Sequence, residues 1–216
     1  MKKGFDTMTF TLNNKYIILT ARFVSQLFSP FYLPVVAFAV LLMFSYLNLL
    51  PFLYKALLLT AVYIFTVVLP RFSIFLYRKL NGWKRHQLVR RERRYVPYVL
   101  SITCYAVLLY LMDSLHMPRF TMGIISGALA IQIVCALLNR WVKVSTHAAA
   151  SGGVIGALMA FSLIFTFDPT LWLCLTILMS GLVCTSRLIL RQHTLREVGW
   201  GTLVGIVCGW VCIVFV

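Results

Sequence analysis

The chain has 216 residues, of which 61% are hydrophobic and only 12% are charged, and its mean hydropathy is +0.91. Soluble domains carry about 25% charged residues, so this composition excludes a soluble globular protein and indicates a polytopic membrane protein. The formal net charge is +15, but a nucleic-acid-binding protein would carry its basic residues on a polar domain, which this sequence lacks. We therefore expect no nucleic-acid partner and expect the basic side chains to meet anionic lipid head groups at helix ends.

The N-terminal segment, residues 1–30, is predicted to lie along the membrane surface. Polar residues interrupt any apolar run near its start, so we expect no cleavable signal peptide. In residues 16–28, apolar side chains fall roughly on one helical face: Ile17, Ile18, Val24, Leu27 and Phe28. An amphipathic helix of this kind is typical of a membrane interface.

Residues 31–216 are predicted to form an all-α, polytopic membrane bundle. A helix needs about 20 apolar residues to span a bilayer, and six or seven stretches qualify: 31–50, 53–77, 97–113, 119–140, 147–167, 169–188 and 198–216. With seven spans, one side of the membrane holds every lysine and arginine except Lys55 and Arg119. The positive-inside rule then predicts a multi-pass protein of the inner (plasma) membrane whose basic side faces the cytoplasm.

Glycines four residues apart recur in three of these stretches. Such spacing lets the backbones of two helices approach closely, and we interpret these glycines as packing residues: Gly123/Gly127, Gly152/Gly156 and Gly201/Gly205/Gly209.

Residues 186–197, SRLILRQHTLRE, place several ionisable side chains between two apolar stretches. His193 and Glu197 are four residues apart, so on a helix the carboxylate can accept a hydrogen bond from one imidazole nitrogen and raise the basicity of the other. Arg187 could clamp an anion in front of the histidine. Ionisable residues at a membrane boundary are costly and often functional, although an ordinary pair at a helix start explains the same spacing.

A second basic cluster, RRERRYVPY, occupies residues 90–98. Arg91 and Arg94 are three residues apart and would share a helical face. Two guanidinium groups on one face can hold a phosphate through forked hydrogen bonds. A solvated, positively charged loop is the alternative explanation.

The third cluster, KVSTHAAASGG, occupies residues 143–153 and opens a predicted span. Ser145 or Thr146 can cap the helix, whose first N–H groups form an anion site. His147 follows directly, either as a functional group or as a structural histidine at the end of a span.

Because all three clusters are predicted on one side of the membrane, they favour phosphoryl transfer. One histidine would attack phosphorus, the other would protonate the leaving oxygen, and the cations would hold the equatorial oxygens. His86 and His116 lack such neighbours and are interpreted as loop residues. The acidic residues are too few and too scattered to hold a metal ion, so we expect no metal or other cofactor: Asp6, Glu92, Asp113, Asp168 and Glu197.

These motifs resemble the signature of the type-2 phosphatidic acid phosphatases, a family related to the vanadium haloperoxidases. That signature combines Lys-x6-Arg-Pro, Pro-Ser-Gly-His and Ser-Arg-x5-His-x3-Asp. The corresponding elements of this chain are, in the same order, Arg91-x2-Arg94-x2-Pro97, Val144-Ser145-Thr146-His147 and Ser186-Arg187-x5-His193-x3-Glu197. The first has a form that we associate with a divergent branch of bacterial membrane members, and the resemblance covers roughly residues 84–205.

The resemblance implies a role for each matching residue. His193 would be the nucleophile that forms a phosphohistidine, Glu197 would orient it, and His147 would protonate the leaving group. The phosphate would be bound by the matching basic and polar residues: Arg187, Arg94, Arg91, Ser145, Thr146 and Lys143, with Lys84 as the other candidate for the family's missing lysine.

The sequence therefore predicts a membrane phosphatase that hydrolyses a lipid phosphate monoester or diphosphate, such as phosphatidate, phosphatidylglycerol phosphate or a polyprenyl diphosphate. Two alternatives stay open. The phosphohistidine could pass its group to a lipid or sugar hydroxyl, which would make the protein a lipid phosphotransferase. The degenerate first motif, and Glu197 in place of the family's aspartate, also fit a non-catalytic binding or transport protein. Thr146 is a further departure, because the family has glycine there.

Overall fold

The computed structural model describes residues 2–82 and 95–215. Throughout these ranges the chain forms helices and no strand, which confirms the predicted all-α class. The α-helices are α1 (Lys2–Leu27), α2 (Leu33–Phe44), α3 (Phe52–Tyr63), α4 (Leu69–Leu80), α5 (Tyr95–Ser114), α6 (Arg119–Leu138), α7 (Thr146–Phe165), α8 (Thr170–Ile189) and α9 (Leu195–Phe215). A π-helical turn, Ile64–Val68, joins α3 and α4 into one continuous helix of 29 residues.

Within the described ranges, six helices are long and apolar enough to cross a membrane: Phe52–Leu80 and each of α5 to α9. The chain is therefore a multi-pass membrane protein. The predicted span at 31–50 is shorter than expected, because α2 has only 12 residues, or about 18 Å, against a hydrocarbon core about 30 Å thick. It ends at Ser45, whose extended backbone leaves the helix and whose hydroxyl accepts a hydrogen bond from Leu47 N, starting a 3-10 turn.

Contacts between distant segments define the two ends of the bundle. At one end, the rings of Phe44 and Trp172 pack with their centroids 6.0 Å apart. At the other end, which we call the basic end, Arg187 near the end of α8 donates a hydrogen bond to Ser25 of α1. The chain thus passes from the basic end to the opposite end between Ser25 and Phe44, even though α2 is short.

Helix α1 is longer than the predicted helix at 16–28 and packs against α8 through small side chains. Ala21 and Ser25 are only 4% and 6% exposed, whereas Ile17, Ile18 and Leu27 are exposed. Of the apolar residues that predicted an interfacial helix, these three are therefore on the outer surface, whereas Val24 and Phe28 are partly buried.

Helix α9 lies against both α6 and α7. Its backbone is so close to that of α7 that its glycines in the contact could not carry a side chain. A Cβ atom added to Gly205 would collide with the carbonyl oxygen of Ala149, and one added to Gly209 would collide with that of Gly153. From the first contact to the second, the residue number rises by four on each helix. Helices α7 and α9 therefore run parallel and begin at the same end of the bundle.

The predicted packing role is confirmed for the other glycines whose added Cβ atom would also meet a close neighbour: Gly123, Gly152, Gly156 and Gly201. Gly127 differs, because its Cβ would lie 3.7 Å from the nearest atoms, an ordinary van der Waals distance.

We expect Gly205→Ala to lower the free energy of unfolding by about 1–3 kcal/mol, because the new methyl group must push α7 and α9 apart. Gly199→Ala in the same helix is the matched control, since its Cβ would meet nothing within 4 Å and alanine has the higher helix propensity. Thermal or denaturant unfolding in detergent measures both. Equal destabilisation by the two substitutions would contradict the close packing of α7 on α9.

Candidate functional site

The chain turns from α8 into α9 through residues 190–194 at the basic end. Gln192 N donates a hydrogen bond to the carbonyl oxygen of Arg187 at 3.2 Å, and Arg191 takes the left-handed conformation, with φ 51°, that often ends a helix. This closed turn places His193 two residues before the start of α9, while Arg187 lies in the last turn of α8.

His193 and Glu197 are in contact, as predicted. Nδ1 of His193 lies 2.8 Å from Oε2 of Glu197, and the two side chains are 2% and 19% exposed. The reason differs from the prediction, because His193 precedes the helix and does not share a helical face with Glu197. In the tautomer that donates from Nδ1 to the carboxylate, Nε2 carries the lone pair and is the nitrogen able to act as a base or nucleophile.

Glu197 has a second role as part of the N-terminal cap of α9. Its Oε2 accepts a hydrogen bond from Thr194 N at 3.3 Å, and its own N–H donates to the Thr194 hydroxyl at 3.4 Å. Thr194 and Glu197 therefore form a reciprocal capping box. The Thr-x-x-Glu pattern is the sequence signature of such a cap, so this role of Thr194, which the motif analysis missed, was accessible from the sequence.

Ser145 is the cap of α7, which settles the predicted choice between Ser145 and Thr146. Its hydroxyl accepts a hydrogen bond from Ala148 N at 3.4 Å, and the residue is fully buried. Its N–H donates to the carbonyl oxygen of Glu197 at 3.2 Å. The Ser145 N–H is therefore not available to an anion. Of the two predicted backbone donors, only the N–H of Thr146, the first residue of α7, could bind one.

The segments before α7 and α9 are also joined by Lys143, whose ammonium group donates to the carbonyl oxygen of Gln192 at 3.1 Å. His147 is the second residue of α7 and is half-buried. Because the carbonyl oxygen of Ser145 meets Gly201, the first turn of α7, which carries His147, lies against α9 about one turn beyond Glu197. Residues from two of the three predicted clusters therefore meet at one place.

Arg187 has a partner that the motifs did not predict. Its Nη1 donates a hydrogen bond of 2.8 Å to the hydroxyl of Ser25, which is 6% exposed. The two residues are 162 positions apart in the chain, and no local pattern in the sequence relates them.

The remaining predicted residues lie elsewhere. Arg91, Arg94 and Lys84 fall outside the described residues, as does His86. His116 lies in the loop between α5 and α6, at the opposite end of the bundle, in agreement with its interpretation as a loop residue. In the two described ranges, no three histidine, cysteine, aspartate or glutamate side chains come together as metal ligands.

A shallow, open depression of about 300 Å³ lies on the exposed face of α9. It is lined by Arg196 in the first turn, next to Glu197 in sequence, and by Gly199, Trp200 and Leu203. This face of α9 therefore carries a cation at the basic end of the bundle and apolar side chains further along the helix.

Comparison of the chain with protein-family models, with curated proteins and with solved structures finds no match. The family resemblance therefore rests on the motifs alone, and the functional conclusions rest on the geometry of the candidate site.

We expect Thr194→Ala to lower the free energy of unfolding by about 1 kcal/mol, because the first turn of α9 loses a hydroxyl acceptor. The Thr194 N–H and the contact between His193 and Glu197 stay in place, so the substitution separates capping from ring orientation. Thr194→Ser, which keeps the acceptor, is the control. Denaturant unfolding that gives equal stabilities for the alanine and serine variants would contradict the capping box.

Proposed function

We propose that this chain is an integral membrane phosphatase that hydrolyses a lipid phosphate monoester or diphosphate through a phosphohistidine at His193. The observation that carries the proposal is the 2.8 Å contact between His193 Nδ1 and Glu197 Oε2. A carboxylate in this position fixes the ring so that Nε2 is the nitrogen that would attack phosphorus, and it stabilises the positive charge that develops on the imidazole.

The charge distribution around His193 supports an anionic substrate. Lys143 supplies positive charge where the loop before α7 meets the turn before α9, and Arg187 supplies a second cation in the last turn of α8, just before that turn. The N-termini of α7 and α9 point to the same end of the bundle, and each carries the positive end of a helix dipole. In the proposed reaction these groups bind the phosphoryl oxygens and lower the energy of the transition state as charge spreads over them.

His147 is the proposed acid and base. In the first step, Nε2 of His193 forms a bond to phosphorus, the bond from phosphorus to the lipid oxygen breaks, and His147 gives its proton to that oxygen. In the second step, a water molecule attacks phosphorus and gives a proton to His147, and the bond from phosphorus to Nε2 of His193 breaks. Inorganic phosphate leaves and both histidines return to their starting states.

The exposed face of α9 supports a lipid as the carrier of the phosphate. Its apolar side chains, Trp200 and Leu203, suit contact with an acyl or prenyl chain, and Arg196 at the basic end suits an anionic head group. Phosphatidate, phosphatidylglycerol phosphate and polyprenyl diphosphates share these features. We place the reaction on the cytoplasmic side of the inner (plasma) membrane, following the positive-inside rule.

A second candidate function, non-catalytic binding or transport, is favoured by the capping box. Glu197 has a structural reason to be present, because it accepts a hydrogen bond from Thr194 N at the start of α9. If capping were its whole role, His193 would need no chemical function, and His193→Ala would leave the biological function intact.

Phosphate release from the three lipid substrates, by purified protein in detergent with EDTA present, tests the proposal. We expect release to persist in EDTA and to fall at least about 10³-fold in His193→Ala, which lacks the nucleophile. Glu197→Gln should fall by about 100-fold, because the amide can still cap the helix but holds the ring in the wrong protonation state. Thr194→Ala, which keeps the histidine–carboxylate contact, is the matched control and should stay within about threefold of the unmodified protein.

The other outcomes separate the candidates. Equal release by the unmodified protein and by a folded His193→Ala variant would overturn the phosphohistidine mechanism. Phosphate transfer that starts only when a lipid or sugar hydroxyl is added would identify a phosphotransferase. No turnover under any of these conditions would leave the non-catalytic candidate.

A further inference from the structure

We propose that Ser25, in the N-terminal helix α1, is a positioning residue that holds the guanidinium group of Arg187 in the orientation that binds phosphate. The inference rests on the proposed function in one respect, namely that Arg187 is a phosphate ligand. It adds a residue from a part of the chain that lies outside the motifs and outside the 84–205 region that they cover.

The contact itself is short and shielded from solvent. Arg187 Nη1 lies 2.8 Å from Ser25 Oγ, within the range of a strong hydrogen bond. Ser25 is 6% exposed, and Ala21, one turn earlier on α1, is 4% exposed. These small side chains form the face of α1 that packs on α8, so the hydroxyl is held in place by the helix contact.

The chemistry of the two groups explains why this contact positions the arginine without weakening it. A guanidinium group is a planar fork of N–H donors, so fixing one N–H fixes the plane of the remaining donors. A serine hydroxyl is neutral, and this contact therefore leaves the positive charge of Arg187 in place for an anion. A long side chain that is already ordered loses less conformational entropy when it binds its ligand.

The contact joins two segments that are far apart in the chain. Arg187 lies in the last turn of α8, and the chain leaves the helix immediately afterwards through the turn at 190–194. The hydrogen bond from Arg187 to Ser25 therefore brings helix α1 to the proposed phosphate site.

The test compares the binding of inorganic phosphate by four variants in detergent: Ser25→Ala, Ser25→Thr, Ser29→Ala and Arg187→Ala. Ser25→Thr keeps the hydroxyl, and Ser29→Ala removes a hydroxyl from a serine that is similarly buried, at 8% exposed, near the end of α1. Isothermal titration gives the dissociation constant of phosphate, and thermal unfolding checks that each variant is folded.

We expect Ser25→Ala to raise the dissociation constant about tenfold, which corresponds to about 1.4 kcal/mol. Arg187→Ala should raise it at least as much, Ser25→Thr should restore it to within about threefold, and Ser29→Ala should leave it unchanged. In turnover of the lipid substrate, Ser25→Ala should raise KM by a similar factor with kcat nearly unchanged, because ground state and transition state lose the same contact.

Three results would overturn the inference: unchanged phosphate binding in Ser25→Ala, equal weakening by Ser25→Ala and Ser29→Ala, or equal binding by the unmodified protein and Arg187→Ala. The binding measurement does not depend on catalysis. The expected binding pattern in a protein that releases no phosphate from lipids would therefore support the role of Ser25 while rejecting the proposed hydrolase function.

Discussion

The contact between the backbones of α7 and α9 is the constraint on which the candidate site depends. Gly205 and Gly209 leave no room for a side chain against the carbonyl oxygens of Ala149 and Gly153, so the two parallel helices are fixed in both distance and register. Both helices consequently begin at the basic end, α9 about one turn before α7, and the positive ends of their two dipoles point to that end. The turn before α9, which carries His193, and the first turn of α7, which carries His147, are thereby brought to one end of the bundle.

Glu197 links the stability of this arrangement to the chemistry proposed for His193. The same carboxylate oxygen accepts hydrogen bonds from Thr194 N and from His193 Nδ1. A glutamate at the third helical position has the reach that a capping box requires, which gives a physical reason for glutamate where the resembled family has aspartate. The His193 side chain is only 2% exposed, so its ring is largely shielded from water.

Regular patterns in the sequence were sufficient to predict most of the helices and part of the candidate site. Long apolar runs predicted the membrane-spanning helices, and the four-residue spacing of His193 and Glu197 predicted their contact. The short α2 was not predicted, because its end depends on the hydroxyl of Ser45, which caps a new turn inside an otherwise apolar run. The contact of Ser25 with Arg187 depends on how α1 packs on α8, and no local pattern encodes such a long-range contact.

The central claim, that His193 is the nucleophile, is tested most directly by trapping the covalent intermediate. The protein would be mixed with a lipid phosphate labelled in its phosphoryl group, quenched within the first turnover, and digested for mass spectrometry. The account predicts a phosphoryl group on His193 that survives alkali and is lost in acid, as a phosphorus–nitrogen bond is. Release of phosphate with the label on another residue, or with no labelled residue at any time, would contradict it.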